Sequence, residues 1–195
     1  RDAPDRYVAD ASKLFSPQTN DPDVYYALRD EFNSTEDQHR KTTLFLYLNR
    51  HGYNGLCRYN LSGKFNVPFG RYKRPYFPER ELYFFAEKAQ KATFTCEGYS
   101  RTFSRARMGN VIYCDPPYAP ISKTANFTQY AGNGFNLADQ EKLAQLAEHA
   151  ANKKNVVVLI SNHDTSDTRR FYNAAKITKL KVSRSISQKG HKRQK

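Results

Sequence analysis

The 195-residue sequence predicts an α/β fold, in which a parallel, doubly wound sheet is joined to an α-helical part that contains a hairpin. Three observations predict it. Apolar residues recur at helical spacing through much of residues 1–50. Glycine and proline interrupt residues 51–78. From residue 79 onward, helical and strand-like patterns alternate, which is typical of parallel β-α-β units.

Residues 1–50 predict three helices. Residues 4–15 carry apolar side chains at helical spacing. Residues 22–32 predict a second helix, with Asp21 as its N-cap and Pro22 as its first residue. A third helix opens at residues 35–38. Its centre, residues 44–48, is apolar all round, and we therefore expect it to be buried.

Residues 51–78 predict an irregular segment, because glycine and proline break any long element there. Residues 59–65 (YNLSGKF) predict a small hairpin that turns at Ser62 and Gly63. Aromatic and basic residues are interleaved throughout this segment.

The rest of the chain predicts alternating helices and strands. The amphipathic helix of residues 137–153 has Asn136 as its cap. Residues 156–160 form a continuous apolar run, as expected for a strand buried on both faces. In full, the predicted helices are residues 79–91, 137–153 and 167–175, and the predicted strands are residues 92–96, 111–114, 156–160 and 177–182.

The charge is strongly basic and unevenly distributed. The chain has 32 Lys and Arg against 19 Asp and Glu, a net charge of +13. Residues 38–78 contain no acid and eight basic residues, and residues 169–195 contain no acid and ten basic residues. Segregated charge favours a polyanion partner, most simply nucleic acid, over a solubilising surface. An acidic substrate or a membrane surface could also attract it. No apolar run approaches the roughly 18 residues of a membrane helix.

The three cysteines show no C-x-x-C spacing, which argues against a disulfide framework or a zinc site and favours a reducing, cytosolic setting. The sequence has no signal peptide. His163 and Asp164 could suggest a metal pair, but their place after a predicted strand favours a structural role. We therefore predict no metal.

The strand predicted at residues 111–114 runs directly into Asp115, Pro116, Pro117 and Tyr118. Ligands of open α/β sheets bind at the carboxyl ends of the strands. The prolines fix φ and lack N–H groups, so their carbonyls can face a ligand in a stiff geometry. This set suits a planar ring that bears an NH₂ group: the carboxylate and a proline carbonyl accept its two N–H bonds, and the tyrosine stacks on the ring.

Such a site predicts methyl transfer to an aromatic amine. The lone pair of a conjugated amine is a poor nucleophile. Two acceptors would push the nitrogen toward sp³ geometry and free the lone pair for in-line attack on an electrophilic methyl group. The alternative is a rigid turn without function. The preceding strand and the basic chain around it favour the functional interpretation.

Asp-Pro-Pro-Tyr is also the catalytic motif of the Dam-type DNA adenine-N6 methyltransferases, which the sequence resembles over nearly its whole length. The resemblance continues in residues 45–60 (FLYLNRHGYNGLCRYN), 65–73 (FNVPFGRYK), 124–128 (TANFT) and 160–164 (ISNHD). It implies a Rossmann-like methyltransferase sheet, present in part, with an α-helical, hairpin-containing DNA-recognition domain. Residues 1–77 would form the target-recognition domain and residues 78–195 the C-terminal part of the catalytic domain.

The resemblance implies S-adenosylmethionine as methyl donor and N6 of adenine at GATC in double-stranded DNA as target. It implies that Asp115 contacts both cofactor and amine, and that Tyr118 stacks on a flipped adenine. Flipping is also physically required, because an amine stacked in a duplex cannot reach a donor. A bacterial or phage-type cytoplasmic enzyme associated with the nucleoid is implied, with no membrane and no obligate protein partner.

The resemblance also implies a set of DNA contacts. Tyr53 resembles an aromatic wedge that enters the base stack, with Asn54 beside it; the alternative is an ordinary packed tyrosine. Arg58 can bond O6 and N7 of guanine in a bidentate fork, and the alternative is a phosphate clamp. The implied base readers are Leu56, Arg58 and Pro68, and the implied phosphate or flanking contacts are Arg29, Arg50, Asn60, Arg71, Tyr72 and Lys73.

The sequence departs from the family pattern in several respects: it lacks the lysine- and glycine-containing stretch, the Phe-x-Gly-x-Gly loop and the acidic residue that follows it, and we expect it to end before the last strand of the family's sheet. We therefore expect a fragment of a longer gene product whose cofactor pocket is incomplete. A DNA-binding module without catalysis stays an alternative. Methylation of RNA or of a protein amide is another, although relatives that modify protein glutamine usually have Asn at position 115.

Overall fold

The computed structural model describes residues 3–120 and 135–181. The chain divides into two compact units, Arg1–Thr95 and Cys96–Lys195. The functional boundary expected between residues 77 and 78 concerns the roles of the segments and stays a prediction. Within the described residues, no helix is long and apolar enough to cross a membrane.

The first unit is built from four α-helices: α1 (Pro4–Ser12), α2 (Pro22–Ser34), α3 (Gln38–His51) and α4 (Glu79–Ala89). The predicted start of α2 is confirmed, because the Asp21 side chain accepts hydrogen bonds from the first-turn N–H groups and Pro22 opens the helix. Asp37 caps α3 in the same way. Short 3₁₀ turns lie at Pro17–Thr19 and Tyr53–Gly55.

The core of the first unit is aromatic. Helix α3 buries one face, which includes Leu44, Tyr47 and Leu48, whereas Phe45 is 38% exposed. The expectation that residues 44–48 are buried all round was therefore wrong at Phe45, because the helical period turns that residue away from the buried face. The other buried members of this core are Leu14, Tyr25, Phe32, Phe65 and Val67.

The predicted hairpin at residues 59–65 is confirmed as a small antiparallel turn. Tyr59 and Phe65 form an isolated bridge, and the N–H of Asn60 donates to the carbonyl of Lys64. Gly63 has a φ of 73°, a left-handed conformation that glycine adopts without strain. Phe65 is buried in the core, so the hairpin is fixed at its base.

The second unit contains one β-α-β crossover. Strands β1 (Val111–Cys114) and β2 (Val157–Ile160) are parallel neighbours, and α6 (Leu137–Lys154) connects them. Asn136 caps α6 through a capping box, as predicted. Helices α5 (Tyr99–Arg105) and α7 (Ser166–Phe171) complete the described part. The predicted doubly wound sheet is thus represented, among the described residues, by two parallel strands.

Two expectations were wrong in this region, and one helix was missed. Residues 92–96 and 177–181 form no strand, and helix α5 was not predicted. Both segments contain β-branched or aromatic residues, but such residues favour a strand only where a neighbouring strand completes the hydrogen bonds. Consistent with this, Phe94 and Leu180 are largely exposed. Residue 182, the last of the predicted strand, lies outside the described residues.

The two faces of the strand pair differ. Ile112 and Val158 pack with Leu143 and Ala147 of α6, whereas the opposite face is exposed. The expectation that residues 156–160 are buried on both faces was therefore wrong: among the described residues, helix packing covers one face only. The exposed apolar face consists of Val111, Tyr113, Val157 and Leu159.

Candidate active site and DNA interface

The Asp-Pro-Pro-Tyr segment begins at the carboxyl end of β1, as predicted. In the parallel register Cys114 is opposite Ile160, so the next residues, Asp115 and Ser161, lie side by side. The Ser161 hydroxyl donates to Oδ1 of Asp115 at 2.8 Å. The Tyr113 hydroxyl is 3.2 Å from the Ser161 oxygen. Because Ser161 gives its proton to Asp115, we infer that Tyr113 donates to Ser161. The carboxylate is thus oriented by a short chain of hydroxyl groups.

A buried amide network holds the loop that follows. Gln140 of α6 is 1% exposed, and its Nε2 donates to the carbonyl of Pro117 at 2.7 Å. Asn162, after β2, donates to Oε1 of Gln140 at 2.9 Å and accepts from the N–H of Ala119 at 2.9 Å. Two points of the loop are therefore tied to α6 and to the end of β2.

The network leaves one proline carbonyl available. The Pro117 carbonyl is occupied by Gln140. No hydrogen-bond donor within residues 3–120 and 135–181 reaches the Pro116 carbonyl. The same holds for the second oxygen of Asp115, since Ser161 bonds only Oδ1. These two acceptors fit the pair that the sequence predicted for an amine.

Tyr118 presents an aromatic ring beside these acceptors. It is 37% exposed, and the His163 ring lies nearly perpendicular to it, with centroids 4.9 Å apart. Nδ1 of His163 lies 2.6 Å from the carbonyl of Ala119. The histidine therefore supports the loop, as the structural interpretation of residues 163–164 predicted.

Asp164 forms two ion pairs. Its oxygens lie 2.6 Å from Nε of Arg169 and 2.9 Å from Nζ of Lys179. Hydrogen bonds to these two cations lower the pKa of the Asp164 carboxyl to about 2. No group of three or more His, Cys, Asp or Glu side chains among the described residues could hold a metal ion.

In the first unit, the predicted wedge lies in a clamped turn directly after α3. Asn54 has a φ of 53° and Gly55 a φ of 61°, so two successive residues are left-handed. The N–H of Tyr53 donates to the carbonyl of Pro68 at 2.8 Å, and the N–H of Asn54 donates to the hydroxyl of Tyr72 at 3.0 Å. The Tyr53 ring is partly buried against the core. The segments 51–55 and 68–72 therefore form one local structure.

Two predicted contacts also shape the backbone. Oδ1 of Asn60 accepts from the N–H groups of Ser62 and Lys64, at 3.1 Å and 2.9 Å, and so sets the hairpin turn. Leu56 packs partly against the core. Pro68 is exposed.

The predicted phosphate contacts fall into two groups. Arg29 donates to the carbonyl of Val67 at 3.3 Å and lies over the Tyr26 ring, so part of its guanidinium supports the fold. Arg50 likewise donates to the carbonyl of Tyr76 at 3.1 Å. The exposed group comprises Arg71, Tyr72 and Lys73. Their roles toward DNA stay predictions.

The residues that hold the Asp-Pro-Pro-Tyr loop were not predicted from the sequence. Ser161 and Asn162 belong to the stretch that carried the family resemblance, but no role was predicted for them. Gln140 had no local signal, because a glutamine on an amphipathic helix normally lies on the solvent face. Residues 124–128, which also carried the resemblance, lie outside the described residues.

Comparisons with known proteins show the family of this chain. A family model described as D12 class N6 adenine-specific DNA methyltransferase matches residues 1–186. The chain is 59% identical to the DNA adenine methylases of Salmonella typhi and of Escherichia coli K12, over 98% of this chain and 68% of each relative. It is 56% identical to that of Vibrio cholerae, over 98% of this chain and 69% of the relative. The chain therefore belongs to the D12 class of N6 adenine-specific DNA methyltransferases.

Proposed function

We propose that this chain takes part in methyl transfer from S-adenosylmethionine to N6 of adenine in duplex DNA, at GATC, with the adenine flipped out of the helix. The observation that carries the proposal is the preset pair of acceptors at the end of β1. The second oxygen of Asp115 and the carbonyl of Pro116 both lack a donor from the described residues. Ser161 binds the first oxygen of the same carboxylate, and Gln140 binds the adjacent Pro117 carbonyl, so both acceptors are held in position.

The chain's own residues would act on the amine. Asp115 and Pro116 accept its two N–H bonds, which localises the lone pair on nitrogen and directs it out of the ring plane. Tyr118 stacks on the base, a contact worth about 1–3 kcal/mol. Positioning accounts for much of the expected rate, because an amine held in line with the methyl group reacts as if the two belonged to one molecule.

The described residues fit the acceptor side of the reaction, and Asp115 is the one that we expect also to contact the cofactor. It is exposed at the carboxyl end of a parallel strand, where ligands of such sheets bind. S-adenosylmethionine, when bound, supplies the electrophilic methyl group.

The first unit supports a DNA target. Its acid-free residues 38–78 carry eight basic side chains, and this stretch includes the clamped Tyr53–Gly55 turn. Phosphate neutralisation by such a surface would make binding strongly salt-dependent. Because the relatives are bacterial DNA adenine methylases, we also infer a cytoplasmic protein that works on the nucleoid.

The test is transfer of labelled methyl groups into a GATC duplex by the chain and by its Asp115→Ala variant. We expect the variant to lose about 10²-fold or more of the rate, because one preorganised group is removed, with DNA affinity unchanged. Glu87→Ala, an exposed carboxylate of the other unit, is the matched control. Methylation by Asp115→Ala at the unchanged rate would refute the assignment. An RNA duplex of the same sequence tests the alternative substrate.

A second candidate is a DNA-binding module without catalysis. The observation that favours it is that residues 1–195 contain no Phe-x-Gly-x-Gly loop. Calorimetric titration with S-adenosylmethionine separates the two functions. DNA binding without cofactor binding or transfer would favour the module, whereas cofactor binding together with transfer would exclude it.

A further inference from the structure

Arg58 and Asn66 are opposite each other across the hairpin. The N–H of Asn66 donates to the carbonyl of Arg58 at 3.1 Å, one position beyond the Tyr59–Phe65 bridge. The Arg58 guanidinium turns back onto the same asparagine. Its Nε donates to Oδ1 of Asn66 at 2.8 Å, and its NH2 group donates to the Asn66 carbonyl at 2.9 Å. Asn66 therefore occupies the whole side edge of this guanidinium, which consists of the Nε–H and the adjacent N–H of NH2.

The far edge of the guanidinium is left for a ligand. A guanidinium has five N–H donors in a rigid plane. Asn66 takes one on Nε and one on NH2, so the two parallel N–H bonds at the far end point away from it. This pair matches the spacing of O6 and N7 of guanine in the major groove. Arg58 is exposed, and within the described residues the partner of its guanidinium is Asn66 rather than a carboxylate.

Asn66 can orient Arg58 because it is itself fixed. Its neighbour Phe65 is buried against Phe32, and the Phe65 backbone exchanges two hydrogen bonds with the Asn33 side chain, at 2.7 Å and 3.1 Å. Asn33 belongs to α2, so the hairpin base is attached to the helical core. A long side chain that is already ordered loses less conformational entropy when it binds.

We propose that Asn66 is a specificity-determining positioning residue, which holds the side edge of Arg58 and so presents its far edge to a guanine of the target site. This inference rests on the proposed function, in that it takes duplex DNA as the substrate. It assigns base discrimination to a pair of residues rather than to Arg58 alone. Asn66 itself need not contact the DNA.

The test compares binding of the full chain to a GATC duplex, to the same duplex with 7-deazaguanine, which lacks N7, and to an unrelated duplex. We expect Asn66→Ala to lower the preference for guanine over 7-deazaguanine by about tenfold, within the range of one bidentate contact. Binding to the unrelated duplex should not change. Asn66→Asp keeps an oxygen acceptor for Nε and should retain the preference, although its charge weakens binding to every duplex.

Each outcome decides the proposal. If Asn66→Ala weakens binding to all three duplexes equally, Asn66 is a phosphate contact and the proposal is wrong. If the preference is unchanged, Asn66 does not position Arg58. A wild-type chain that binds DNA without any preference for guanine refutes base reading by Arg58. A chain that binds no DNA refutes the proposed function itself. Asn152→Ala, an exposed asparagine on α6, controls for general effects, and thermal melting checks folding.

Discussion

At the scale of single residues, His51 shows how burial sets a charge state. Its ring is 4.0 Å from the Tyr47 ring and 5.0 Å from the Phe15 ring, measured between centroids, and the residue is almost fully buried. Removal from water disfavours the charged form and lowers the pKa of His51 to about 4. The imidazole is therefore neutral in the folded protein at neutral pH.

This shift predicts a loss of stability in mild acid. The ordinary pKa is 6.5 and the folded pKa about 4, so below pH 6.5 the unfolded chain binds the proton more readily. The free energy of unfolding should be highest above pH 6.5 and should decrease as the pH falls toward 4, by roughly 3 kcal/mol in total. Urea unfolding at pH 7.5 and pH 5 measures this. His51→Asn, which cannot titrate, should lose less between the two pH values; an equal loss would contradict the assignment.

Gln140 is the second residue whose role depends on burial. We expect Gln140→Leu to lower the free energy of unfolding by about 1–3 kcal/mol, because the Pro117 carbonyl and the Asn162 amide lose their partners in the interior. Single-turnover methyl transfer should also slow, since the Pro116 carbonyl is no longer fixed. Gln145→Leu, at an exposed position on the same helix, is the control. Unchanged unfolding and transfer in Gln140→Leu would show that the network is dispensable.

At the scale of elements, the end of α3 and the turn after it act together. Gly52 ends the helix, and a Cβ placed there would lie 2.4 Å from the Leu48 carbonyl oxygen and 2.9 Å from the Tyr25 hydroxyl. The chain can enter the Tyr53–Gly55 turn only because this position has no side chain. Tyr25 is itself fixed, since its hydroxyl donates to the Val67 carbonyl.

Gly52→Ala should therefore displace the turn. The contact is with backbone, which cannot move aside cheaply, and we expect a loss of about 1–3 kcal/mol in the free energy of unfolding. Binding to a GATC duplex should weaken more than binding to an unrelated duplex, because Tyr53 and Asn54 move. Gly63→Ala tests strain alone, since its φ is 73° but its surroundings are open. If Gly52→Ala lowers the free energy of unfolding no more than Gly63→Ala does, the close approach at Gly52 does not contribute to stability.

The strand pair shows what local patterns miss. Strands β1 and β2 were predicted within one residue of their observed bounds, because their apolar runs are flanked by clear helix and turn signals. Their exposed face was not predicted, since the same residues would suit a sheet covered on both sides. The alternating segment around Phe94 has the pattern of a strand and no strand partner among the described residues.

At the scale of the whole molecule, charge and chemistry are divided between the two units. The longest acid-free stretch of the described residues belongs to the first unit, and the Asp-Pro-Pro-Tyr loop belongs to the second. This division is consistent with one unit that binds the polyanion and one that holds the reacting amine. The net charge of +13 adds long-range attraction toward DNA that salt would screen.

The features that could be predicted from the amino-acid sequence are those whose causes are local. Caps such as Asp21 and Asn136 act on N–H groups within three residues, and proline fixes its own φ, so both can be recognised from short stretches. The acid-free stretch and the position of Asp115 after an apolar run are equally local. For this reason the position of Asp115 at the end of β1 could be predicted from the sequence.

The groups that hold these features in place are visible only in the folded protein. Gln140 is 23 residues from Pro117 in sequence, Ser161 is 46 residues from Asp115, and Asn66 meets Arg58 only because the hairpin pairs them. The neutral state of His51 and the open face of the sheet depend likewise on what packs nearby. Hydrogen bonds and burial that involve residues far apart in the chain arise from the fold. A sequence pattern does not show which of these residues lie close together in space.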